Sequence, residues 1–368
     1  MKNETTDGMT RRTLLLSLPA LAVARRVLAQ TTAASAPMRV RALNHMTFSV
    51  PDPKRTIDFY QGLFGMPVQA RQGATTVLRI GPGPQFLAVS AAAPGVAPAI
   101  NHYCVTVENF SVDRILKALA DHGVKRSDAA ASTNGGGGGS NGGPMTVRVR
   151  MRGADAGGAK EGTPEIYVSD PDGIVVQLQD PAYCGGAGVK GDVCGAPEAA
   201  PTKGLLAVRD LSHFTIFATD AARSNAFYKE LFGMSIRSYQ GPTAPTLAVG
   251  SGVEFIMFTG GGAPARAGAP PAPPRPATIN HVCMNMEKFE PDQVIKVLES
   301  YGIKPREGAQ GPVGPMRHYI SMRMENRGGA KEGTPELYFT DPDGILIQLQ
   351  DVSYCGGGGV LGQLCPAL

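Results

Sequence analysis

The stretch GGAKEGTPELYFTDPDGILIQLQD, residues 328–351, decides how the rest of the chain is read. Residues 157–180 read GGAKEGTPEIYVSDPDGIVVQLQD, which is nearly the same sequence displaced by 328 − 157 = 171 positions. A repeat of this length and fidelity predicts a tandem duplication, so each structural feature is expected twice.

Each half divides again into two similar units. The first unit opens at residues 43–50, LNHMTFSV, where apolar and polar residues alternate as they do in a strand with two different faces. Asp52 and Pro53 then suit the start of an amphipathic helix that ends at Gly65. Short strand candidates follow at residues 75–80 and 85–90, which gives one βαβββ unit. The same order starts again at residues 100, 211 and 279.

The sequence therefore predicts an α+β fold of four βαβββ modules in two pseudo-symmetric halves, each an open, cup-like mixed β-sheet with helices outside. The predicted divisions are a first domain at 42–184, a linker at 185–204, a second domain at 205–355 and a Gly-rich tail at 356–368. The insertion at residues 134–143, NGGGGGSNGG, has no periodicity and is assigned no structure.

The first 29 residues are predicted to be a signal peptide. Arg11 and Arg12 precede an apolar run that ends in small residues, a pattern typical of twin-arginine export to the periplasm. Removing this segment takes away five basic and two acidic residues, so the formal charge falls from +4 to +4 − 5 + 2 = +1. This balance excludes an electrostatic case for nucleic acid, and nothing after the signal predicts membrane association.

The six cysteines form three repeated pairs. Cys184 and Cys194 recur as Cys355 and Cys365 inside glycine-rich segments, and in an oxidising compartment they predict one short-loop disulfide in each half. Cys104 and Cys283 lie inside strand-like runs, each two residues after a histidine, and are expected to be small buried residues.

One histidine lies near the start of the first strand of every unit: His45, His102, His213 and His281. Period-2 geometry places each of them on the face that carries small or polar residues, with the apolar residues on the opposite face. Gln177 and Gln348 alternate with apolar residues on the closing strand of each half, so they can face the same side. Two paired units would then line a cup with imidazole and amide groups.

The four units, the Asn-His or Ser-His opening strands, the FYxxLFGM helix and the DPDG turn together resemble the vicinal oxygen chelate superfamily. This group includes glyoxalase I, extradiol dioxygenases and bleomycin-resistance proteins. The resemblance covers residues 42–354 and implies a divalent metal (Fe, Mn, Zn, Ni or Cu) held by two histidines and a carboxylate. The matching positions are His45, His102 and Gln177 in the first half and His213, His281 and Gln348 in the second.

Glutamine thus replaces the carboxylate in both halves, and three interpretations stay open. The amide oxygen is the third ligand; or another group completes the site, the candidates being Glu165, Glu336, Glu254, Cys104 and Cys283; or the metal has been lost. His318, which has no counterpart in the first half, is a further candidate as an acid or base.

The resemblance implies an exported metal-dependent enzyme that acts on a small, in some relatives aromatic, substrate with adjacent oxygens. Ring-cleaving dioxygenase chemistry is the first hypothesis, because the four-unit layout is similar to that of extradiol enzymes, and lyase or isomerase chemistry is the second. The alternative from another class is a metal-free periplasmic protein that binds or sequesters a small molecule. The fold can be completed within one chain by pairing of the units, so a dimer is not required, and both a monomer and a homodimer are compatible with the sequence.

Overall fold

The computed structural model describes residues 36–127, 142–260, 276–309 and 312–368. The predicted signal peptide lies outside the described residues, and so does most of the glycine-rich insertion. In the first half the strands and helices, in chain order, are β1 (Val40–Val50), α1 (Pro53–Phe64), β2 (Val68–Gln72), β3 (Thr75–Arg79), β4 (Phe86–Ala91), β5 (Ala99–Val107), α2 (Val112–Asp121), β6 (Lys125–Arg126), β7 (Thr146–Arg152), β8 (Thr163–Ser169) and β9 (Val175–Gln179).

The second half repeats this order. Its elements are β10 (Val208–Ala218), α3 (Ala221–Phe232), β11 (Ile236–Tyr239), β12 (Pro245–Ala248), β13 (Phe255–Gly260), β14 (Thr278–Met286), α4 (Pro291–Ser300), β15 (Lys304–Pro305), β16 (Arg317–Arg323), β17 (Thr334–Thr340) and β18 (Leu346–Asp351). One short 3₁₀ helix lies before the penultimate long strand of each half, at Ala154–Ala156 and Glu325–Arg327.

Each half forms one mixed sheet of nine strands in the described part of the chain. The strand order is β2-β3-β4-β1-β5-β9-β8-β7-β6 in the first half, and the second half repeats it. The first strands of the two units, β1 and β5, lie antiparallel at the centre, and the last strand of each unit pairs parallel with the first. The predicted fold class is therefore confirmed. Strands β2, β11, β6 and β15, which are short or weakly patterned, were not predicted.

The two faces of each sheet differ in chemistry because side chains alternate along every strand. In β1, Met46, Phe48 and Val50 point to the helix face and are fully buried. The apolar faces of both sheets and all four helices contribute to a single hydrophobic core that includes residues of both halves. The opposite face of each sheet carries the histidines and glutamines and forms the cup.

The DPDG turn of each half connects two strands and also contacts a helix of the other half. Asp172, the second aspartate of the first turn, accepts hydrogen bonds from the backbone N–H of Thr219 (3.1 Å) and the hydroxyl of Ser224 (3.2 Å), and it pairs with Arg223. These three residues surround the N-terminus of α3 in the other half, where negative charge is favourable. Asp343 does the same for α1, through Thr56 (2.7 Å) and Arg55. We call Asp172 and Asp343, with these partners, the interhalf clasp.

The first aspartate of each turn is buried and reaches the same helices. Asp170 organises its own turn by accepting the N–H groups of Asp172 and Ile174, both at 2.9 Å. Its second oxygen accepts a hydrogen bond from the Tyr228 hydroxyl of α3 at 3.3 Å. Burial raises the pKa of Asp170 to about 7, and it raises the pKa of Asp341, which meets Tyr60 in the same way, also to about 7.

Two disulfides close the loops that follow each sheet, as predicted. Cys184 bonds to Cys194 and Cys355 to Cys365. The residues before the first cysteine of each pair, Tyr183 and Tyr354, are buried against the cup. Each disulfide therefore fixes a segment that covers part of the polar face. Among the described residues, no helix has the length and apolar composition needed to cross a bilayer.

Removing the charge of the clasp should loosen the two-half assembly. We expect Asp172→Asn and Asp343→Asn each to lower the free energy of unfolding by about 1–3 kcal/mol, because each deletes a buried anion that accepts several hydrogen bonds. Urea unfolding monitored by circular dichroism measures the change. Asp58→Asn, at a carboxylate whose side chain is 58% exposed, is the control and should shift stability by less than about 0.5 kcal/mol. Clasp variants that unfold like the wild type would contradict this role.

Candidate metal centre

One row of paired residues runs across five neighbouring strands of each sheet, which are β1, β5, β9, β8 and β7 in the first half. In the first half His45 lies opposite Cys104, Cys104 opposite Gln177, Gln177 opposite Tyr167, and Tyr167 opposite Arg148. In the second half the matching row is His213, Cys283, Gln348, Tyr338 and Tyr319. We call these the first and second site rows. His102 and His281 lie on the same face of the sheet, two residues before Cys104 in β5 and two residues before Cys283 in β14.

The first half brings its two histidines and its glutamine together. The Nε2 atom of His45 lies 3.0 Å from Oε1 of Gln177, and the Nε2 atom of His102 lies 3.1 Å from the same oxygen. The two imidazole rings meet edge to face with centroids 5.7 Å apart. All three residues are at most 7% exposed, so their polar atoms converge in a space that excludes most water.

A β-bulge before each site histidine explains how its ring is oriented. The pairing of β1 with β5 shifts register between Leu43 and His45, which lets the Asn44 side chain share the face of His45. The Nδ2 group of Asn44 donates to the Tyr183 carbonyl at 2.9 Å, so its Oδ1 atom, 2.7 Å from Nδ1 of His45, accepts the imidazole proton. The Nε2 atom of His45 therefore carries a lone pair directed at Gln177.

The other three histidines repeat this arrangement with small variations. Asn101 and Asn280 place Oδ1 at 2.7 and 2.8 Å from Nδ1 of His102 and His281, and Ser212 places its hydroxyl 3.2 Å from Nδ1 of His213. Register shifts mark bulges at all three positions. In the sequence, the Asn-His and Ser-His pairs mark the resemblance to the family. Their role in orienting the imidazole rings was missed.

Aromatic rings hold the first histidine of each pair in place. The His45 ring stacks on Phe86 with centroids 4.3 Å apart and planes 10° apart, and His213 stacks on Phe255 with the same values. Tyr183 lies 5.8 Å from His45 on the tail side, so the disulfide-closed segment covers the ring. Phe86 and Phe255 were not singled out from the sequence, because an aromatic residue in a strand carries no specific signal for this contact.

Burial keeps all four imidazoles neutral at pH 7. Desolvation is the main cause that lowers the pKa of His102 to about 4, and the nearby guanidinium groups of Arg148 and Arg150 lower it further. Desolvation likewise lowers the pKa of His281 to about 4 and places the pKa values of His45 and His213 well below the usual range. A neutral imidazole with a bare Nε2 atom is the form that binds metals.

The second half forms the same site with a looser glutamine contact. The Nε2 atom of His213 lies 3.2 Å from Oε1 of Gln348, and the His213 and His281 rings meet edge to face at 5.6 Å. The Nε2 atom of His281 and the amide nitrogens of Gln177 and Gln348 are buried without a hydrogen-bond partner in the described structure. Such orphaned atoms are costly unless a bound group completes them.

The donor set and its spacing fit a divalent cation. Two ligand atoms at about 2.1 Å from a metal and at right angles to each other lie about 3.0 Å apart, which is the separation of each imidazole nitrogen from the amide oxygen in the first half. Two imidazoles and an amide oxygen supply three lone pairs and no charge. The residues present therefore fit a metal, although such a set would bind it less strongly than one with a carboxylate.

The other candidate ligands have different partners. Glu165 accepts from Nε of Arg152 at 2.7 Å and from the hydroxyls of Tyr183 and Tyr167 at 3.0 and 3.1 Å. Glu336 has the matching partners Arg323, Tyr354 and Tyr338. Cys104 and Cys283 lie in the site rows but are buried thiols whose pKa values burial raises. In the described ranges, no three His, Cys, Asp or Glu side chains lie together in a way that could hold a metal.

His318 lies on the opposite face of the second sheet. It pairs in β16 with Phe339, whose side chain belongs to the hydrophobic core, and its Nε2 atom lies 3.2 Å from Oε1 of Glu299 in α4. The structure therefore does not bring this histidine together with the second site row.

Glu254 lies between the two halves. It accepts the Leu43 N–H at 2.6 Å and an amide hydrogen of Gln85 at 2.9 Å, while Oε1 of Gln85 accepts the Leu211 N–H at 2.7 Å. Leu43 and Leu211 each precede a site histidine by two residues. The carboxyl thus links the opening strands of the two halves, and burial raises its pKa to about 8.

Family and structural comparisons agree with this fold. The family model described as Glyoxalase/Bleomycin resistance protein/Dioxygenase superfamily matches residues 42–178 and 210–349. The chain belongs to this superfamily, with one copy of the model in each half. No curated protein sequence matches that of this chain.

Solved structures with a similar fold share little sequence identity with the chain. A catechol 2,3-dioxygenase matches with a TM-score of 0.53 and 15% identity over 87% of this chain and 88% of that one. The Mn(II)-bound glyoxalase from Novosphingobium aromaticivorans matches with a TM-score of 0.53 and 15% identity over 85% and 82%. Homoprotocatechuate 2,3-dioxygenase from Arthrobacter globiformis matches with a TM-score of 0.51 and 18% identity over 86% and 81%. These similarities establish the shared fold.

The raised pKa of Glu254 makes a prediction about stability. The carboxyl ionises near pH 4.5 when exposed and near pH 8 in the fold, so the folded state holds the extra proton between these values. Its stabilising contribution is complete below about pH 4.5 and is lost as the pH rises through 8. We expect the free energy of unfolding to fall from pH 6.5 to 8, and Glu254→Gln to remove part of that fall, up to about 1.4 kcal/mol per pH unit.

Urea unfolding at a series of pH values measures this slope, with Glu287→Gln at an exposed position as the control. A pH slope that the substitution leaves unchanged would contradict the raised pKa of Glu254.

Proposed function

We propose that the protein is a metal-dependent enzyme of the vicinal oxygen chelate type that acts on a small substrate with two adjacent oxygens. The observation that carries this proposal is the convergence of two imidazole Nε2 atoms and one amide oxygen at 3.0 and 3.1 Å in the first half. His45, His102 and Gln177 would hold one metal ion, and His213, His281 and Gln348 a second.

A bound divalent metal would supply Lewis-acid stabilisation of negative charge on the substrate oxygens. The chain's own residues prepare the site for it. The bulged Asn44 and Asn101 fix the tautomer of the histidines, and the Phe86 ring fixes the plane of His45. Burial removes competing water and strengthens every electrostatic interaction inside the cup. Thr47, whose hydroxyl lies 3.1 Å from Nε2 of His102, can turn to a bound ligand.

Ring-cleaving dioxygenase chemistry is the leading reaction class. Two of the similar structures are named as 2,3-dioxygenases and share the four-module layout over most of their length. Lyase or isomerase chemistry is the next, since a similar structure is a Mn(II)-bound glyoxalase. The neutral third ligand weighs against ordinary Fe(II)-dependent catechol cleavage and leaves Mn, Zn, Ni and Cu beside Fe as candidate metals.

A metal-free binding protein is the second candidate, and one observation favours it. Among the described residues the amide nitrogen of Gln177 has no hydrogen-bond partner. Turning the amide over would place its two N–H groups against the Nε2 atoms of His45 and His102. That arrangement satisfies all three groups without a cation. The cup would then bind a small apolar or aromatic molecule at its outer side.

We also propose that the protein acts outside the cytoplasm. The two disulfides close short loops of sequence separation 10, and bonds of this kind persist in oxidising compartments. The twin-arginine-like segment remains a sequence prediction, as does the choice between monomer and homodimer.

Metal analysis of the purified chain tests the proposal. Protein prepared without chelators should contain about one divalent metal per intact site by inductively coupled plasma mass spectrometry, or gain it on reconstitution. His45→Ala should abolish loading of the first half and His281→Ala that of the second, because each removes one of only two nitrogen ligands. His122→Ala, whose imidazole caps α2 by contacting the Ala118 carbonyl at 2.8 Å, is the control and should retain full loading.

The outcomes separate the two candidate functions. Less than about 0.1 metal per chain, with no gain on reconstitution, would contradict the enzyme and favour the metal-free binding protein. Metal that remains unchanged in both histidine variants would contradict the site assignment while leaving a metalloprotein.

A further inference from the structure

The linker between the two halves is fastened to the first half at two points and encloses a pocket between them. The backbone of Glu198 exchanges two hydrogen bonds of 2.8 Å with the backbone of Val68 at the edge of β2. Further along the linker, the N–H groups of Leu205 and Leu206 donate to the Leu63 carbonyl at 2.8 and 2.9 Å. We call the segment from Glu198 to Leu206 the strap.

Backbone contacts pack the strap directly on the end of α1. Gly65 follows α1 with a φ of 65°, and a Cβ atom at this position would collide with the carbonyl oxygen of Lys203. A Cβ atom on Gly204 would in turn collide with the backbone nitrogen of Gly65. The two glycines therefore allow the backbones to touch, and the strap forms one wall of the pocket.

The strap pocket has the size and the mostly apolar lining of a small-molecule site. Its volume is about 510 Å³, and small-molecule sites span about 300–1,000 Å³. Phe64, Met66 and Val208 line it from the body of the protein and are buried, and residues 199–201, Ala-Ala-Pro, line it from the strap. The candidate metal ligands are not among its lining residues.

The charged residues that line the strap pocket are all cations. They are Arg79 and Lys203, and none of the described lining residues is acidic. Neither side chain forms an ion pair within the part of the chain that the structure describes. The Nε atom of Arg79 is buried and has no hydrogen-bond partner among the described residues. A buried guanidinium N–H group is costly unless an acceptor meets it, so the pocket lacks an acceptor at this point.

The sheet itself does not require an arginine at position 79. Arg79 of β3 pairs with Phe86 of β4, and the matching pair in the second half is Ala248 with Phe255. The second half thus builds the same strand pair with a methyl group in place of the guanidinium. The arginine is present in the half whose edge the strap covers, which points to a role in the pocket.

We propose that the strap pocket binds a small organic anion with an apolar body, and that Arg79 contacts its carboxylate. A guanidinium presents paired N–H groups that match the two oxygens of a carboxylate. The apolar lining would take the rest of the ligand out of water, and Lys203 adds positive charge on the strap side. This site goes beyond the proposed function and does not depend on a bound metal.

Two probes of the same length that differ in charge test the inference. Octanoate and octanamide are each titrated calorimetrically into the full chain, with and without EDTA. We expect octanoate to bind about tenfold or more tightly than octanamide in both buffers. Arg79→Ala, which copies the second half, should remove that preference and change the Kd for octanamide by less than about twofold.

A further variant and two controls locate the probe. Ala200→Phe adds a ring on the strap side of the pocket, outside the helices and strands, and should weaken both probes about tenfold or more. Lys117→Ala removes a charge from a side chain that is 75% exposed on α2, and Arg148→Tyr removes a cation of the first cup. Both controls should preserve the preference for octanoate.

The outcomes distinguish this site from the candidate metal centre. Equal binding of both probes to the wild type, failure of octanoate to bind, or a preference that survives Arg79→Ala would overturn the anion contact. A preference that EDTA or Arg148→Tyr abolishes would place octanoate in the cup, which would overturn the strap pocket as a site and leave the metal-dependent proposal standing.

Discussion

Burial of imidazole and amide groups is the constraint on which the candidate site depends. A lone pair removed from water must meet a donor or a cation, and each cup buries two imidazoles and a glutamine whose acceptor atoms face one another. The bulged asparagines use the Nδ1 proton, which leaves the Nε2 atoms with no proton to share. A metal between the three atoms would satisfy their lone pairs, and so would the amide turned over. Both candidate functions follow from this one requirement.

The sequence was sufficient for the fold because duplication displayed each element more than once. Period-2 alternation placed the histidines and glutamines on one face, and the structure brings them together there. Other features depend on contacts between residues distant in sequence, which no local pattern encodes. The DPDG turn was read as a turn between strands, yet its second aspartate holds a helix of the other half, 47 residues away in the case of Asp172 and Thr219. The bulges before the histidines could not be predicted from the sequence either, since a bulge is defined by how two strands pair.

The two halves have the same residues at some positions of the cup and different residues at others. The candidate metal ligands, the phenylalanines stacked on His45 and His213, and the buried Arg–Glu pair are the same in both halves. The outer strand of the cup differs between the halves, since Arg148 in β7 corresponds to Tyr319 in β16. The contact between the halves is also asymmetric, because Gln85 of the first half donates to Glu254 of the second. Through Gln85, Glu254 links the backbone of β1 at Leu43 to the backbone of β10 at Leu211.

The identity of the third ligand is the central claim, and converting each glutamine to glutamate tests it most directly. Metal affinity is measured by competition with a chromophoric chelator for the wild type, Gln177→Glu and Gln348→Glu. If the amide oxygen is a ligand, the added charge at the same position should tighten binding about tenfold or more in the substituted half, and His45→Ala should cancel the gain made by Gln177→Glu. Metal affinity that neither substitution changes would contradict the account, since it would mean that the glutamines do not face a bound ion.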